Sequence, residues 1–389
     1  MKKLLCLCLA CLMLLTLGLP CAGAASPASY RDWTNVVQVV VLRDSLVGLR
    51  SDGTVVFDGP QDSEYAVARD WAGVSRLEFA EAEALIGYRA DGTVLTTLPC
   101  DLSSWTNIRQ VQYVHWMWAV FGLRYDGTVV AAPVPYMDPE EFDEYLQSWN
   151  LDSWENVVAL DDDVLQLIGL RDDGTIRILL PYIDDPDNRT NIASFASLPT
   201  DVFYAVRSDG SVFVFDDEFI SVSDCNLLDP EEWHNITSFY YTGSHDCGGL
   251  CIGLRSDGTV AISDPYTFDY HDNTVLEQVR AWTDIAQLGV NFYSLPVGLK
   301  ADGTLAYVDV DSYGMPIDQD LSDWTELRSV YVYGGEIYGL RVDGTVLTTA
   351  SYDLSDWTNI VELVGPPSYV SGPIAGLRAD GTVVATPFP

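Results

Sequence analysis

Residues 47 to 56 read "VGLRSDGTVV". The phrase returns as "IGYRADGTVL" at 86, "FGLRYDGTVV" at 121, "IGLRDDGTIR" at 168 and "AGLRADGTVV" at 375. Aligning on the Asp-Gly pair gives nine copies, with glycines at Gly53, Gly92, Gly127, Gly174, Gly210, Gly258, Gly303, Gly344 and Gly381. The intervals run from 35 to 48 residues and average 41. Asp-Gly between β-branched runs is a strong hairpin signal, because the turn needs a residue at positive φ. We expect a tight primed turn at each copy.

A second landmark precedes each hairpin, as in "DWTNVV", "SWENVV" or "DWTNIV". Its tryptophans are Trp33, Trp71, Trp105, Trp154, Trp233, Trp282, Trp324 and Trp357, with Arg189 in the fifth copy. Landmark to glycine spans 20 to 25 residues, and glycine to the next landmark spans 13 to 27. Each unit therefore has a rigid half and an elastic half. The rigid half reads as a meander of at least three strands, and no unit shows sustained helical periodicity. A sheet of about 40 residues cannot hide both faces alone, but stacked copies can. The fold class is all-β, a β-propeller of about nine units with seven to nine blades. Residues 25 to 32 could add an outer strand at the closure.

Strand alternation puts Val47 and Leu49 on one face, and Gly48 and Arg50 on the other. The glycine recurs in all units but the fifth, where Ala205 stands. It marks a place where one blade's backbone presses on its neighbour. The basic position recurs too, at Arg50, Arg89, Arg124, Arg171, Arg207, Arg255, Lys300, Arg341 and Arg378. It reads as a buried cation along the blade interface, pairing with the hairpin aspartate or stacking on tryptophan. Structural repeat residues are thus Arg50, Asp52 and Gly53, Arg124, Asp126 and Gly127, and Arg255, Asp257 and Gly258.

The chain of 389 residues carries a net charge of −37. Such a surface repels nucleic acid and anionic membrane. Lys2, Lys3, the apolar run that follows and Ala22-Gly23-Ala24 form a signal peptide, residues 1–24. Cys21 follows Leu19-Pro20, which argues against a lipid anchor. The expectation is a secreted monomer, residues 25–389, with no membrane insertion. Four cysteines survive cleavage: Cys100, Cys225, Cys247 and Cys251. Cys247 and Cys251 could bridge, and Cys100 has no evident partner.

With the phrase and its period in hand, the chain resembles the RCC1-like repeat family. Members carry "GLxxDGxV" hairpins preceded by an "I-V-x-V-x-x-G" strand and fold as propellers. The match covers residues 33 to 389. The short spacing is similar to that of bacterial secreted members, including the RCC1-like β-lactamase inhibitor proteins. The family's Trp-Gly and "GQLG" closures are absent here. The eukaryotic namesake promotes nucleotide exchange on a nuclear GTPase, which does not suit a secreted acidic chain. The resemblance implies fold and a tendency toward protein binding, and no site residues.

A feature present nine times builds scaffold, so function should sit where the repeat breaks. One break, residues 133 to 154, holds Tyr136, Phe142, Tyr145 and Trp149 among carboxylates. Another holds Tyr266, Phe268, Tyr270 and His271. Aromatics beside carboxylates suit a glycan or a basic protein. The alternative for the first is a short helix capping the ring edge. His245, Asp246, Cys247 and Cys251 have poor zinc spacing. Asp309, Asp311, Gly314 and Asp320 form only a faint calcium pattern. No cofactor is expected. The reading is a non-enzymatic scaffold that binds a protein or glycan through variable loops. Alternatives are a carbohydrate-active enzyme using paired carboxylates and an inhibitor of the β-lactamase-inhibitor type.

Overall fold

The computed structural model describes residues 29–80, 84–135, 137–162, 167–179, 190–198, 202–216, 233–244, 248–263, 273–290, 296–308, 320–366 and 371–388. The signal segment 1–24 lies outside them, as do Arg189, Cys225, Cys247, His245, Asp246, Asp309, Asp311 and Gly314.

The described residues form nine antiparallel three-stranded sheets, each in sequential order. The first consists of β1 (Val36–Val41), β2 (Leu46–Arg50) and β3 (Val55–Asp58). The other eight repeat it, giving a propeller-like all-β fold. The hairpin is not the two-residue primed turn. Gly53 N donates to Arg50 O at 2.9 Å and Arg50 N to Thr54 O at 2.9 Å. That encloses three residues, with Gly53 at φ +82° and Ser51 and Asp52 outside the left-handed region. The glycine closes the turn as a bulge rather than forming its centre.

Nor does the aspartate pair with the arginine. Asp52 Oδ1 accepts from Thr54 N at 2.9 Å and Thr54 Oγ1 at 2.6 Å. The same pair of bonds recurs in the other eight hairpins, as at Asp126 and Asp257. These bonds from Thr54 are the main cause holding the exposed Asp52 carboxyl below its ordinary value, and Arg50 is a lesser one. Arg50 is half-buried rather than buried. Its Nε donates to Thr34 O at 3.3 Å, and Arg89, Arg341 and Arg378 reach the equivalent carbonyls. The guanidinium ties the hairpin to the start of its own unit.

Adjacent sheets are joined by one recurring bond. Gly53 O accepts from Val74 N at 3.0 Å, Gly92 O from Ile108 N at 2.9 Å, and Gly127 O from Val157 N at 3.0 Å. The series continues through every junction, and Gly381 O accepts from Val36 N at 3.0 Å, joining the ninth sheet to the first. The residue before each acceptor-bound amide is left-handed. It is Asn at 35, 107, 156, 191, 235 and 359, Asp284, Glu326 or Gly73. The segment before Trp33 is a one-turn 3-10 helix, Tyr30–Asp32, not the outer strand expected there. It packs on the third strand of the ninth sheet.

Each apolar cluster spans one junction. Val47, Leu49 and Val55 pack with Trp71, Val74 and Leu77 of the second unit. Leu46 and Val39 face the other way, onto Leu377 and Val383 of the ninth. The face assignment of the phrase therefore holds. What presses on the mid-strand glycine is different from the expectation. It is the tryptophan of the same unit, folded between its own sheet and the preceding one. A Cβ on Gly122 would lie 2.5 and 2.8 Å from Trp105 Cζ3 and Cε3. The unit that lacks the tryptophan is the one with Ala205 at this position. Within units, a register shift separates the first two paired residues of every first strand, as between Val36 and Gln38. The glutamine after that bulge clasps the next sheet. Gln38 Nε2 donates to Leu77 O at 2.7 Å, and Gln38 Oε1 accepts from Leu77 N at 2.8 Å. Gln110 does the same at Leu160, and Gln287 at Val330.

Three outcomes follow for stability. Gly122→Ala should lower stability by about 1–3 kcal/mol in denaturant titration, through overpacking against Trp105. Combined with Trp105→Leu the losses should fall short of additive, since the clash partner is gone. Gly127→Ala puts a Cβ 2.9 Å from the Asn156 Cα of the next unit, whereas the left-handed Gly335 faces nothing within 4 Å. Both changes carry the left-handed cost of about 1–2 kcal/mol, so Gly127→Ala should be the more damaging. Equal losses would show that the junction contact contributes nothing. For Asp126, the Thr128 bonds hold the carboxyl below its ordinary 3.8. The ionised form therefore stabilises the fold fully above that value, and the contribution fades as pH falls through the folded-state value. The stability gap between wild type and Asp126→Ala should be flat from neutral pH down to about 5 and should shrink on further acidification.

Candidate functional site

The longest connection, from Gly127 to Trp154, contains a helix, α1 (Pro139–Trp149). Asp138 caps it, its Oδ1 accepting from Glu140 N at 2.8 Å. Pro139 opens the first turn, where Glu140 and Glu141 complement the helix dipole. Asn150 ends it in the left-handed conformation. The aromatics of this stretch fall at helical spacing, and the structure uses them for packing. Phe142 and Trp149 are buried, with Trp149 at 5.4 Å from Phe121 of the third sheet. They are thus not available as contact residues. Tyr145 stacks on Trp149 at 5.9 Å and remains 39% exposed. Tyr136 lies outside the described residues.

The second aromatic break ends in another helix, α2 (Asn273–Arg280). Val275, Leu276 and Val279 enter the junction of the sixth and seventh sheets. Arg280 Nη2 donates to Ile262 O at 2.8 Å. Tyr266, Phe268, Tyr270 and His271 lie outside the described residues. The apolar spacing of Val275, Leu276 and Val279 is the signal that would have found this helix.

Where α1 leaves the third sheet it walls a groove of about 630 Å³. The opposite wall is the outer strand Val129–Pro133, and Trp105 and Leu146 contribute apolar surface. Arg124, Gln147, Asn150 and Asp152 supply polar groups. Arg124 is a repeat residue, yet here it borders a space that the repeat itself does not make. A smaller cavity of about 270 Å³ lies between the second and third sheets, lined by Ser75, Arg76, Tyr88, Arg89 and Tyr125 among others. Sequence reading singled out none of Trp105, Leu146, Gln147, Asn150 or Asp152 as lining.

Cys100 is a half-buried free thiol whose pKa is pushed up to about 11, mainly by burial. It is too protonated at neutral pH to be a nucleophile. Cys251 is buried on the middle strand of the sixth sheet. Asp320 Oδ1 is engaged by Ser322 N at 2.9 Å. Among the described residues no three His, Cys, Asp or Glu side chains converge as a metal site, and no helix is long and apolar enough to cross a membrane.

No protein-family model matches the chain, and no curated protein matches it. Among solved structures it is similar to the computationally designed Ika8 protein, at 11% identity over 90% of this chain and 96% of that one, with a TM-score of 0.40. It is similar to the CRINKLY WD40 ectodomain of the Arabidopsis thaliana receptor kinase ACR4, at 10% identity over 80% and 95%, TM-score 0.34. A third is PorZ, an essential surface component of the type-IX secretion system of Porphyromonas gingivalis, at 11% identity over 91% of this chain and 52% of that one, TM-score 0.30. Likeness at these scores carries no argument, and the propeller-like fold rests on the nine sheets of the chain itself.

Proposed function

We propose that the protein is a secreted, non-enzymatic scaffold, a nine-bladed ring of RCC1-type units that binds a glycan in the groove beside α1. The nine-blade count is favoured by the bond from Val36 N to Gly381 O, which repeats at the last junction what holds the others. Secretion is favoured by the Lys2-Lys3 run, the apolar stretch and the Ala22-Gly23-Ala24 site.

The observation that carries the binding reading is the groove itself. It lies where the longest insertion interrupts the repeat. Its apolar wall beside amide, carboxylate and guanidinium groups suits a sugar, which offers an apolar ring face and hydroxyl edges. Among the described residues, one carboxylate lines the groove, Asp152, and one lines the smaller cavity, Asp91. Glycoside hydrolysis requires two flanking the bond. That lining supports binding over hydrolysis. A basic protein segment is the second reading, favoured by Glu141, Asp143 and Glu144 on the exposed face of α1.

Gln147 is exposed on α1 and borders the groove. Gln147→Trp should fill the groove without touching the core. On a glycan array the wild type should retain specific sugars, and Q147W should lose them with an unchanged melting temperature. A protein captured from the secreted medium and released by Q147W would favour the second reading. Sugar binding indifferent to Q147W would remove the groove from consideration.

A further inference from the structure

The small cavity between the second and third sheets is where three separate departures from the repeat meet. In columns of the aligned units, the residue after the first-strand bulge is Gln38, Arg76, Gln110, Ala159, Ser194, Ser238, Gln287, Ser329 and Glu362. Only the second unit has arginine. The third position of the "VGLR" phrase is leucine or valine in every unit except the second, where it is Tyr88. The hairpin residue before Asp is small, aspartate or valine in every unit except the third, where it is Tyr125. Arg76, Tyr88 and Tyr125 line one cavity of about 270 Å³.

Two of the changes, at Arg76 and Tyr88, are physically linked. In units one, three and seven, glutamine satisfies the backbone amide of the next sheet, at Leu77, Leu160 and Val330. The equivalent amide in the third sheet is Val111 N. It donates to the Tyr88 hydroxyl at 2.9 Å. Tyr88 therefore takes the amide that glutamine takes in those three units, while position 76 carries a cation. The Arg76 guanidinium lies 3.8 Å over the Tyr88 ring, with Nη1 on Glu78 Oε2 at 2.6 Å and Nη2 on Arg109 O at 2.9 Å. It is held in place, yet its side chain stays 46% exposed. Arg89 spends Nε on Ala72 O at 3.0 Å, and its guanidinium also acts electrostatically on Asp91. Tyr125 is 71% exposed, a flat ring at the rim. Of the carboxylates nearby, Glu78 is taken by Arg76, and Asp91 Oδ1 by Thr93 N and Oγ1.

We propose that this cavity binds a carboxylate-bearing sugar residue, a hexuronic acid, with its carboxylate on Arg76 and Arg89 and its ring against Tyr125. Glu78 and Asp91 offset the charge of the two guanidiniums, so the preference for a carboxylate rests on the directed N–H donors that Arg89 and the exposed edge of Arg76 turn to the cavity, which a carboxylate takes as charge-assisted bonds. The size, below that of sites for drug-sized ligands, admits a single small ring. The aromatic rim and the hydroxyl and amide groups around it favour a sugar over a compact inorganic anion. The site is separate from the groove beside α1 and does not rest on it.

The test is titration calorimetry of the mature chain with glucuronate, galacturonate, glucose, methyl glucuronate ester and inorganic phosphate. A uronate should bind, while glucose and the ester should not. Arg76→Gln places here the glutamine that three other units already accommodate, and Tyr125→Ala the alanine found at Ala90, Ala301 and Ala379. Both should fold with wild-type melting temperatures and weaken uronate binding by about tenfold or more, as loss of a charge-assisted contact or a stacking platform requires. Q147W should bind uronate as the wild type does. The proposal is overturned if no uronate binds, if glucose or the ester binds equally, if phosphate competes as well as uronate, or if Arg76→Gln leaves the affinity unchanged.

Discussion

The structure depends on one hydrogen bond made nine times, from the first-strand amide of each unit to the hairpin glycine carbonyl of the unit before it. A three-stranded sheet that is apolar on both faces leaves that surface in water unless a neighbour covers each face. The bond fixes where the next sheet begins, and the apolar faces on either side then meet at a set distance. It also explains two residue choices at once. The hairpin residue must be left-handed and must lack a Cβ, because the next unit's backbone lies against it. The residue before the donor must be left-handed as well, which asparagine tolerates better than other side chains. Gly381 O accepts from Val36 N in the same way, so the ninth sheet is joined to the first by the bond that joins the others.

Between these bonds, tryptophan sets the spacing. Each ring lies on the glycine of its own middle strand and faces the apolar side chains of the preceding sheet. Seven of the eight are buried, and Trp324 is half-buried. Trp and Gly form a pair that must change together, and the fifth unit, with Arg189 and Ala205, shows the permitted exchange. The glutamine clasp is a lighter device of the same kind. A side-chain amide presents an N–H donor and a carbonyl acceptor side by side and so can stand in for a strand's backbone at the neighbouring sheet.

The period, the sheet order and the faces of the phrase were legible in the sequence because they follow from alternation and turn chemistry. The turn type was not, since Asp-Gly suits both a two-residue turn and a three-residue turn closed by a bulge. The partners of Arg50 and Asp52 were not either. Asp two residues before Thr closes a local ring at almost no entropic cost, and this wins over a longer reach to the arginine. Phe142, Tyr145 and Trp149 were legible as a helix face from their spacing of three and four. Reading them as surface aromatics set composition above periodicity. The asparagine of "WTN" was visible as part of a landmark, but its left-handed geometry follows only from the way two units meet.

The small cavity shows how a repeat protein acquires a site without losing its scaffold. Deleting a clasp would leave Val111 N unsatisfied at a buried junction, which costs about 1–3 kcal/mol. Tyr88 removes that cost by reaching the same amide from a neighbouring strand. Its ring, now buried, provides the surface on which Arg76 rests, and its phenol is pushed above its ordinary value chiefly by that burial, so it stays neutral and keeps its proton for hydrogen bonding. The hairpin residue is free to vary, because its backbone N–H, not its side chain, holds the unit together, as Tyr125 N does on Asn107 O at 2.9 Å. Each substitution therefore falls at a position where the scaffold's requirement is met by another group. Departures from the repeat occur in several units, and three of them, Arg76, Tyr88 and Tyr125, meet at one cavity.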